Sequence, residues 1–418
     1  MAADDRPLRI ALLAYRGKPH CGGQGVYVRH LSKALVDLGH QVEVLGGQPY
    51  PVLDERVGLV ELPSLDIYND AFPMRMPGLW EIKNWKDWAE VMTFSFGTFP
   101  EPFAFSLRVW DHLKTRADDF DIVHDNQSLG FGLLAVDRQI PRIATIHHPL
   151  TVDPRLEIEH AEGLRKKLSL MRWYAFTDMQ TEVARRLKRV ITVSENSFKD
   201  IHADHKVDED RMHIVPVGVD PEMFLPVDGV PRRKGMLITT ASADVAMKGL
   251  RYLLEAVAKL RTERPEVTLT VIGKAKPGGE SARTIDELGL NDAVTFVSGV
   301  PDERIVELYS EAEVAVVPSL YEGFSLPAIE AMSCAIPLVA TTGGAVPEVV
   351  GPDNETAFLV PPGDSHALAQ KLAYVMDEPE VAARVGLAGR QRVIDHWSWR
   401  HTAEKTVEQY RIRLDMER

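Results

Sequence analysis

The chain has 418 residues, more than one hydrophobic core ordinarily supports, so two domains are expected. An apolar share of 45% with 26% charged residues is ordinary for a globular protein, and no apolar run nears the roughly 20 residues needed to span a bilayer. A formal net charge of −13 argues against a general nucleic-acid binder, whose affinity rests on clustered cations.

The start, Met1-Ala2-Ala3-Asp4-Asp5-Arg6-Pro7, is acidic and runs straight into a strand, so no secretory leader is expected. Leu8–Ala14 reads as that strand, and the turn Gly22-Gly23-Gln24-Gly25 opens a helix whose Val28, Leu31 and Leu35 recur at helical spacing. Val42–Leu45 is the next strand. Residues 68–110 then concentrate aromatics, among them Phe72, Trp80, Trp85, Trp88, Phe96 and Trp110, and read as an insertion at about 66–112. Packed core or lid is the simpler reading of these rings, an apolar acceptor surface the sharper one. Ile122–His124, Arg142–Ile146 and Val190–Val193 continue the strand series. Alternation with helices predicts parallel sheets built from right-handed crossovers.

Pro216, Pro221, Pro226, Gly229 and Pro231, followed by a basic turn at Arg232-Arg233-Lys234, read as a linker. A second series then runs through Met236–Thr240, a helix over 249–262, Thr268–Ile272, Val294–Phe296 and Ala312–Pro318. The expected architecture is α/β: two doubly wound, Rossmann-like domains at 1–214 and 215–398 facing a central cleft, with a final helix in 399–418 returning to the first domain. Cys21 and Cys334 are read as reduced thiols of a cytoplasmic protein.

The stretch Glu322-Gly323-Phe324-Ser325-Leu326-Pro327-Ala328-Ile329-Glu330 lies between strand and helix. Ser325 is placed to cap that helix, and Pro327 suits its first turn. Free N–H groups and the positive dipole end of a helix favour a phosphate there. Carboxylates would repel it, so Glu322 and Glu330 are assigned to hydroxyls; a ligand with phosphate and vicinal hydroxyls is a nucleotide, and a nucleotide sugar offers hydroxyls at both ends. Two further loops, Ser242–Gly249 and Thr342–Ala345, also follow strands and fall on the same sheet edge. Lys248 then offers a point charge to a diphosphate.

These motifs resemble glycosyltransferase family 4, the retaining enzymes of the GT-B fold, over nearly the whole chain. The strongest match is Tyr321 to Val349; Gly22-Gly23, Thr145-Ile146-His147, Gly218-Val219-Asp220, Lys248-Gly249 and Trp397-Ser398-Trp399 support it. The resemblance implies that Glu330 holds ribose hydroxyls and Glu322 those of the transferred sugar. Gly323, Phe324, Ser325 and Leu326 would line sugar and phosphate, Lys248 would stabilise the leaving diphosphate, Gly22 and Gly23 would admit the donor, and His147 would face its sugar. It further implies transfer of a hexose from a nucleotide diphosphate sugar to a hydroxyl of a glycan, lipid or small molecule. UDP-glucose is the default donor, with GDP-mannose behind it. Neither metal nor other cofactor is required.

Ala243 stands where the family usually has an arginine, and Lys274 is the expected substitute, ahead of Arg251 and Arg283. Ala335 replaces a usual glycine. Asp119-Phe120-Asp121 matches a metal-binding pattern of another fold, but it precedes a strand, at the wrong edge, and reads as solvated caps. A nucleotide-sugar epimerase lacks a visible acid/base set here. A donor-binding protein without transfer is favoured only by Ala243. Residues 165–189 carry eight cations against Asp178 and Glu182 and are a candidate for weak peripheral contact with the inner face of a membrane. A solvated helix with its apolar side packed on the first domain is the simpler expectation.

Overall fold

The computed structural model describes residues 6–17, 23–68, 75–150, 163–227, 229–241, 245–274 and 276–417. Its residues form two compact units: Met1–Val193 with Ser197–Val215 and Ala403–Arg418, and Pro216–Thr402 with Ser194–Asn196. The final helix, Trp399–Asp415, changes unit at residue 403. Among the described residues no helix is long and apolar enough to cross a membrane.

In the first unit lie β1 (Arg9–Ala14), β2 (Gln41–Gly46), β3 (Gly58–Glu61), β4 (Ile122–Asn126), β5 (Arg142–Ile146), β6 (Val190–Thr192) and β7 (Met212–Ile214). They make a parallel sheet in the order β3-β2-β1-β4-β5-β6-β7. Every residue of β4 and β5 is buried, as a strand covered on both faces requires. The final helix contributes to this unit's interior. Tyr410 Oη lies 2.6 Å from His124 Nδ1, Arg413 Nε donates to the Arg142 carbonyl at 3.1 Å, and Gln409 accepts from Arg189 Nε at 2.8 Å.

The second unit holds β8 (Arg233–Thr240), β9 (Thr268–Ile272), β10 (Val294–Val297), β11 (Ala312–Val317), β12 (Leu338–Thr341) and β13 (Phe358–Val360). They form a parallel sheet ordered β10-β9-β8-β11-β12-β13. The chain works outward one way from β8, then returns to its other side with β11. Connections leave β8 and β11 in opposite directions, which opens a crevice at their carboxyl ends. The helix Leu250–Arg261 covers the sheet with Leu250, Leu253, Leu254, Val257 and Leu260, all buried.

Four expectations change. Arg233 and Lys234 belong to β8 and not to a turn: this exposed end of the strand pairs with β11, and Glu311 and Glu313 meet Arg233 and the Gly235 amide. Helix Glu101–Leu113 is a crossover element and no insertion, since its Phe105, Val109 and Leu113 lie in the core against β1 and β4. The aromatics ahead of it are only in part packed: Tyr68 and Phe99 cluster with Trp173, whereas Trp80, Trp85, Trp88 and Phe96 are exposed. Finally, the stretch 165–189 is packed on the domain only in its second half, where helix Phe176–Ala184 buries Phe176, Met179 and Val183; helix Leu164–Trp173 buries no residue. Phe72 lies outside the described residues.

Candidate functional site

Three turns converge at the carboxyl ends of β8, β11 and β12. The Leu320 amide donates to the Met247 carbonyl at 2.8 Å, joining the first two, and the Ala345 amide donates to the Glu322 carbonyl at 2.9 Å, joining the last two. Glycine makes this approach feasible. Gly249 has φ +64°, and a Cβ there would lie 1.9 Å from the Pro318 carbonyl oxygen; Gly344, at φ +62°, would place one 2.3 Å from that of Glu322.

Lys248 closes the 3₁₀ turn after β8, and its Nζ lies 2.9 and 3.0 Å from the two carboxylate oxygens of Glu322. Glu322 is nearly buried, its side chain 11% exposed, whereas Lys248 keeps 33%. The buried Ser319 hydroxyl also donates to Glu322 Oε1, at 2.7 Å, and the Thr341 hydroxyl holds the Ser319 carbonyl. An ammonium group has three N–H donors, so Lys248 can hold Glu322 and still offer one outward. Ser319 was not anticipated. Its only mark in the sequence is its place directly after Val317-Pro318.

Glu330 lies one turn into the helix Leu326–Ser333 and is partly exposed. Its carboxylate has no hydrogen-bond partner among the described residues, which leaves its lone pairs open to a ligand's hydroxyls. Burial pushes its pKa up to about 7, with Asp302 adding to the shift. Ser325 does not cap this helix. Its φ of +94° turns its side chain away from the first-turn amides, and its buried hydroxyl lacks a partner. That leaves the helix start with its N–H groups uncapped by Ser325. Phe324 is buried edge-on against Trp397, 5.5 Å between centroids, and holds the turn from beneath.

Lys274 stands exposed two residues beyond β9 and makes no ion pair among the described residues. Arg251 is engaged by Glu255 and Glu280, and Arg283 is exposed on the next helix. Ala243 and Gly22 lie outside the described residues; Gly23 begins the helix Gly23–Asp37. Cys21 also lies outside them.

In the first unit, His147 follows β5. Its Nε2 is 2.8 Å from Asn126 Oδ1, while Asn126 Nδ2 donates to the Gln24 carbonyl. An amide oriented in that way places the ring proton on Nε2. Burial lowers the pKa of His147 to about 3, so the ring is neutral. His124, Asp125 and Asn126 are wholly buried and bonded within the unit, which makes them structural. Asp121 accepts from Arg6 and Arg9 at the amino end of β4, and Asp119 from Arg116. No group of three or more metal-ligating side chains occurs among the described residues.

Two Rossmann-like sheets, with glycine-bearing turns, a lysine and two carboxylates at a switch point, define a glycosyltransferase of the GT-B type. The model "Glycosyl transferases group 1" matches residues 229–392 and "Glycosyltransferase Family 4" matches residues 21–223. The MMP alpha-(1->4)-mannosyltransferase of Mycolicibacterium hassiacum is 49% identical over 405 residues, covering 96% of this chain and 98% of that one. The chain belongs to glycosyltransferase family 4. Among solved structures, sucrose-phosphate synthase of Thermosynechococcus elongatus shares the fold at TM-score 0.74 and 23% identity, covering 98% of this chain and all (100%) of that one. Anabaena HepE in complex with UDP-glucose does so at TM-score 0.70 and 17% identity, over 96% and 98% of the chains.

Proposed function

We propose that this enzyme is a retaining α-mannosyltransferase that moves mannose from a nucleotide diphosphate, with guanosine the favoured base, to the 4-hydroxyl of a saccharide acceptor. UDP-glucose, the default on sequence grounds, gives way because the Mycolicibacterium hassiacum relative is named for α-(1→4) mannosyl transfer and matches almost end to end. The chemistry is supported by one observation above others: Lys248 and Glu322 meet at the switch point of the second sheet, 2.9 Å apart.

In the reaction the bond from the sugar's C1 to the diphosphate oxygen breaks while a bond from C1 to the acceptor oxygen forms on the same face. The acceptor's proton passes to the departing phosphate oxygen. Nucleotide hexoses of this kind are α-linked, so an α product means retention. Negative charge gathers on the leaving diphosphate, and preorganised donors there lower the barrier. Lys248 supplies one N–H and the helix start at Leu326 supplies backbone N–H groups. Glu322, fixed by Lys248 and Ser319, receives sugar hydroxyls, and Glu330 receives the ribose diol. Lys274 adds positive charge in place of the missing arginine.

A thermal-shift screen of nucleotide sugars tests donor choice, since ligand binding raises apparent stability. GDP-mannose is expected to raise Tm most. A larger shift with UDP-glucose would overturn the mannose assignment, and binding without turnover would favour a donor-binding protein.

A further inference from the structure

One surface of the first unit is explained neither by the core nor by donor chemistry. Helix Leu164–Trp173 carries Leu164, Leu168 and Met171 at positions i, i+4 and i+7, a single stripe, and they are 74%, 49% and 57% exposed. The opposite side is the one that packs: Trp173 meets Phe99 at 5.4 Å between centroids. The same helix bears Arg165, Lys166, Lys167 and Arg172 and no acidic residue. Among the described residues none of these four is in an ion pair.

The other cations of 165–189 are occupied. Arg185 and Arg186 pair with Glu182, Lys188 pairs with Glu417, and Arg189 is buried on Gln409. Unpaired positive charge is thus concentrated where the apolar stripe is exposed.

A second set of exposed apolar side chains lies on the segment that packs against the end of this helix. Trp80, Trp85, Trp88 and Phe96, on helix Trp85–Ser95 and its flanks, are exposed, Trp80 to 81%. The two segments are joined where Thr98 Oγ1 donates to the Arg172 carbonyl and the Phe99 amide to that of Trp173, both at 3.1 Å.

We propose that this face docks the enzyme on an anionic lipid surface. Leu164, Leu168 and Met171 enter the headgroup boundary, the four cations lie against lipid phosphates, and the exposed indoles of the neighbouring segment add apolar surface. An amphipathic helix with an apolar stripe bordered by Lys and Arg binds lipid in this way, and tryptophan settles at the headgroup level. A second copy of the chain fits poorly. In a two-fold dimer the patch would meet itself, bringing like charges together, and Lys is depleted at protein interfaces. The docking stands independently of the donor assignment, since none of these residues belongs to the proposed transfer machinery.

The test is flotation of the full chain with vesicles of phosphatidylcholine, alone or with an equal share of phosphatidylglycerol, at low and high salt. Binding is expected only to the anionic vesicles and is expected to fall with salt. Arg165→Glu with Lys166→Glu should weaken it roughly tenfold or more, and Leu168→Asp with Met171→Asp should abolish it. Both variants should retain the wild-type Tm and donor affinity. Absence of binding, equal binding to neutral vesicles, or undiminished binding by the charge-reversal variant would overturn the proposal. So would light scattering that shows a wild-type dimer dissolved by Leu168→Asp with Met171→Asp.

Discussion

At the scale of single residues, the proposed mechanism divides the work between Lys248 and Glu330. On this proposal Lys248 acts on charge that develops as the diphosphate leaves, so Lys248→Ala should cut kcat by about 10²–10³, the usual loss for one preorganised donor, with a smaller change in KM. Steady-state kinetics read this directly. On the same proposal Glu330 acts on binding and must be ionised to accept two hydroxyls. With its pKa near 7, donor affinity should be about tenfold weaker at pH 6 than at pH 8 by titration calorimetry, and Glu330→Gln should flatten that dependence. The same shift has a stability consequence of fixed sign. Folding disfavours the ionised form, so this carboxyl makes the fold less stable as pH rises from about 4.5 to about 7. Ala335 stands at φ +53°, where a side chain is strained. Ala335→Gly should therefore raise stability, by about 1 kcal/mol in chemical denaturation.

At the scale of elements, the site is three turns wedged against each other, and glycine is what permits the wedge. Gly249→Ala combines a left-handed backbone with a Cβ 1.9 Å from the Pro318 carbonyl oxygen. It should cost at least about 2 kcal/mol and weaken donor binding as the Lys248 turn is displaced. Denaturation and donor titration of the same variant check both parts. Strands such as β1, β5 and β11 were legible in the sequence because nearly all of their residues are buried, giving short, mainly apolar runs. β3, β7 and β13 were not, since three or four residues show no periodicity and their neighbours, not their propensity, make them strands. The placement of Lys248 and Glu322 after β8 and β11 was legible because each follows an apolar run that reads as a strand. Ser319 and the left-handed Ser325 were not, because a hydroxyl's partner and a backbone angle depend on the packed turns. Helix Leu164–Trp173 misled in the other direction: helical spacing predicts an apolar stripe but not which way it faces.

At the scale of the whole molecule, both units use parallel sheets with long-range crossovers, and chemistry gathers on carboxyl rims where backbone N–H groups and glycine turns are concentrated. The charge distribution follows a second logic. In a chain of net −13, the unpaired cations of helix Leu164–Trp173 stand out among the described residues, and in the proposed docking they would orient the encounter with lipid. The central claim, mannosyl transfer driven from the Lys248–Glu322 rim, is tested most directly by proton NMR of a reaction containing GDP-mannose and a mannoside acceptor, with wild-type enzyme and with Lys248→Ala. A new α-anomeric signal that grows with wild-type and is reduced about a hundredfold in the variant is the predicted result. A β-anomeric product, or equal rates from the two proteins, would contradict the account.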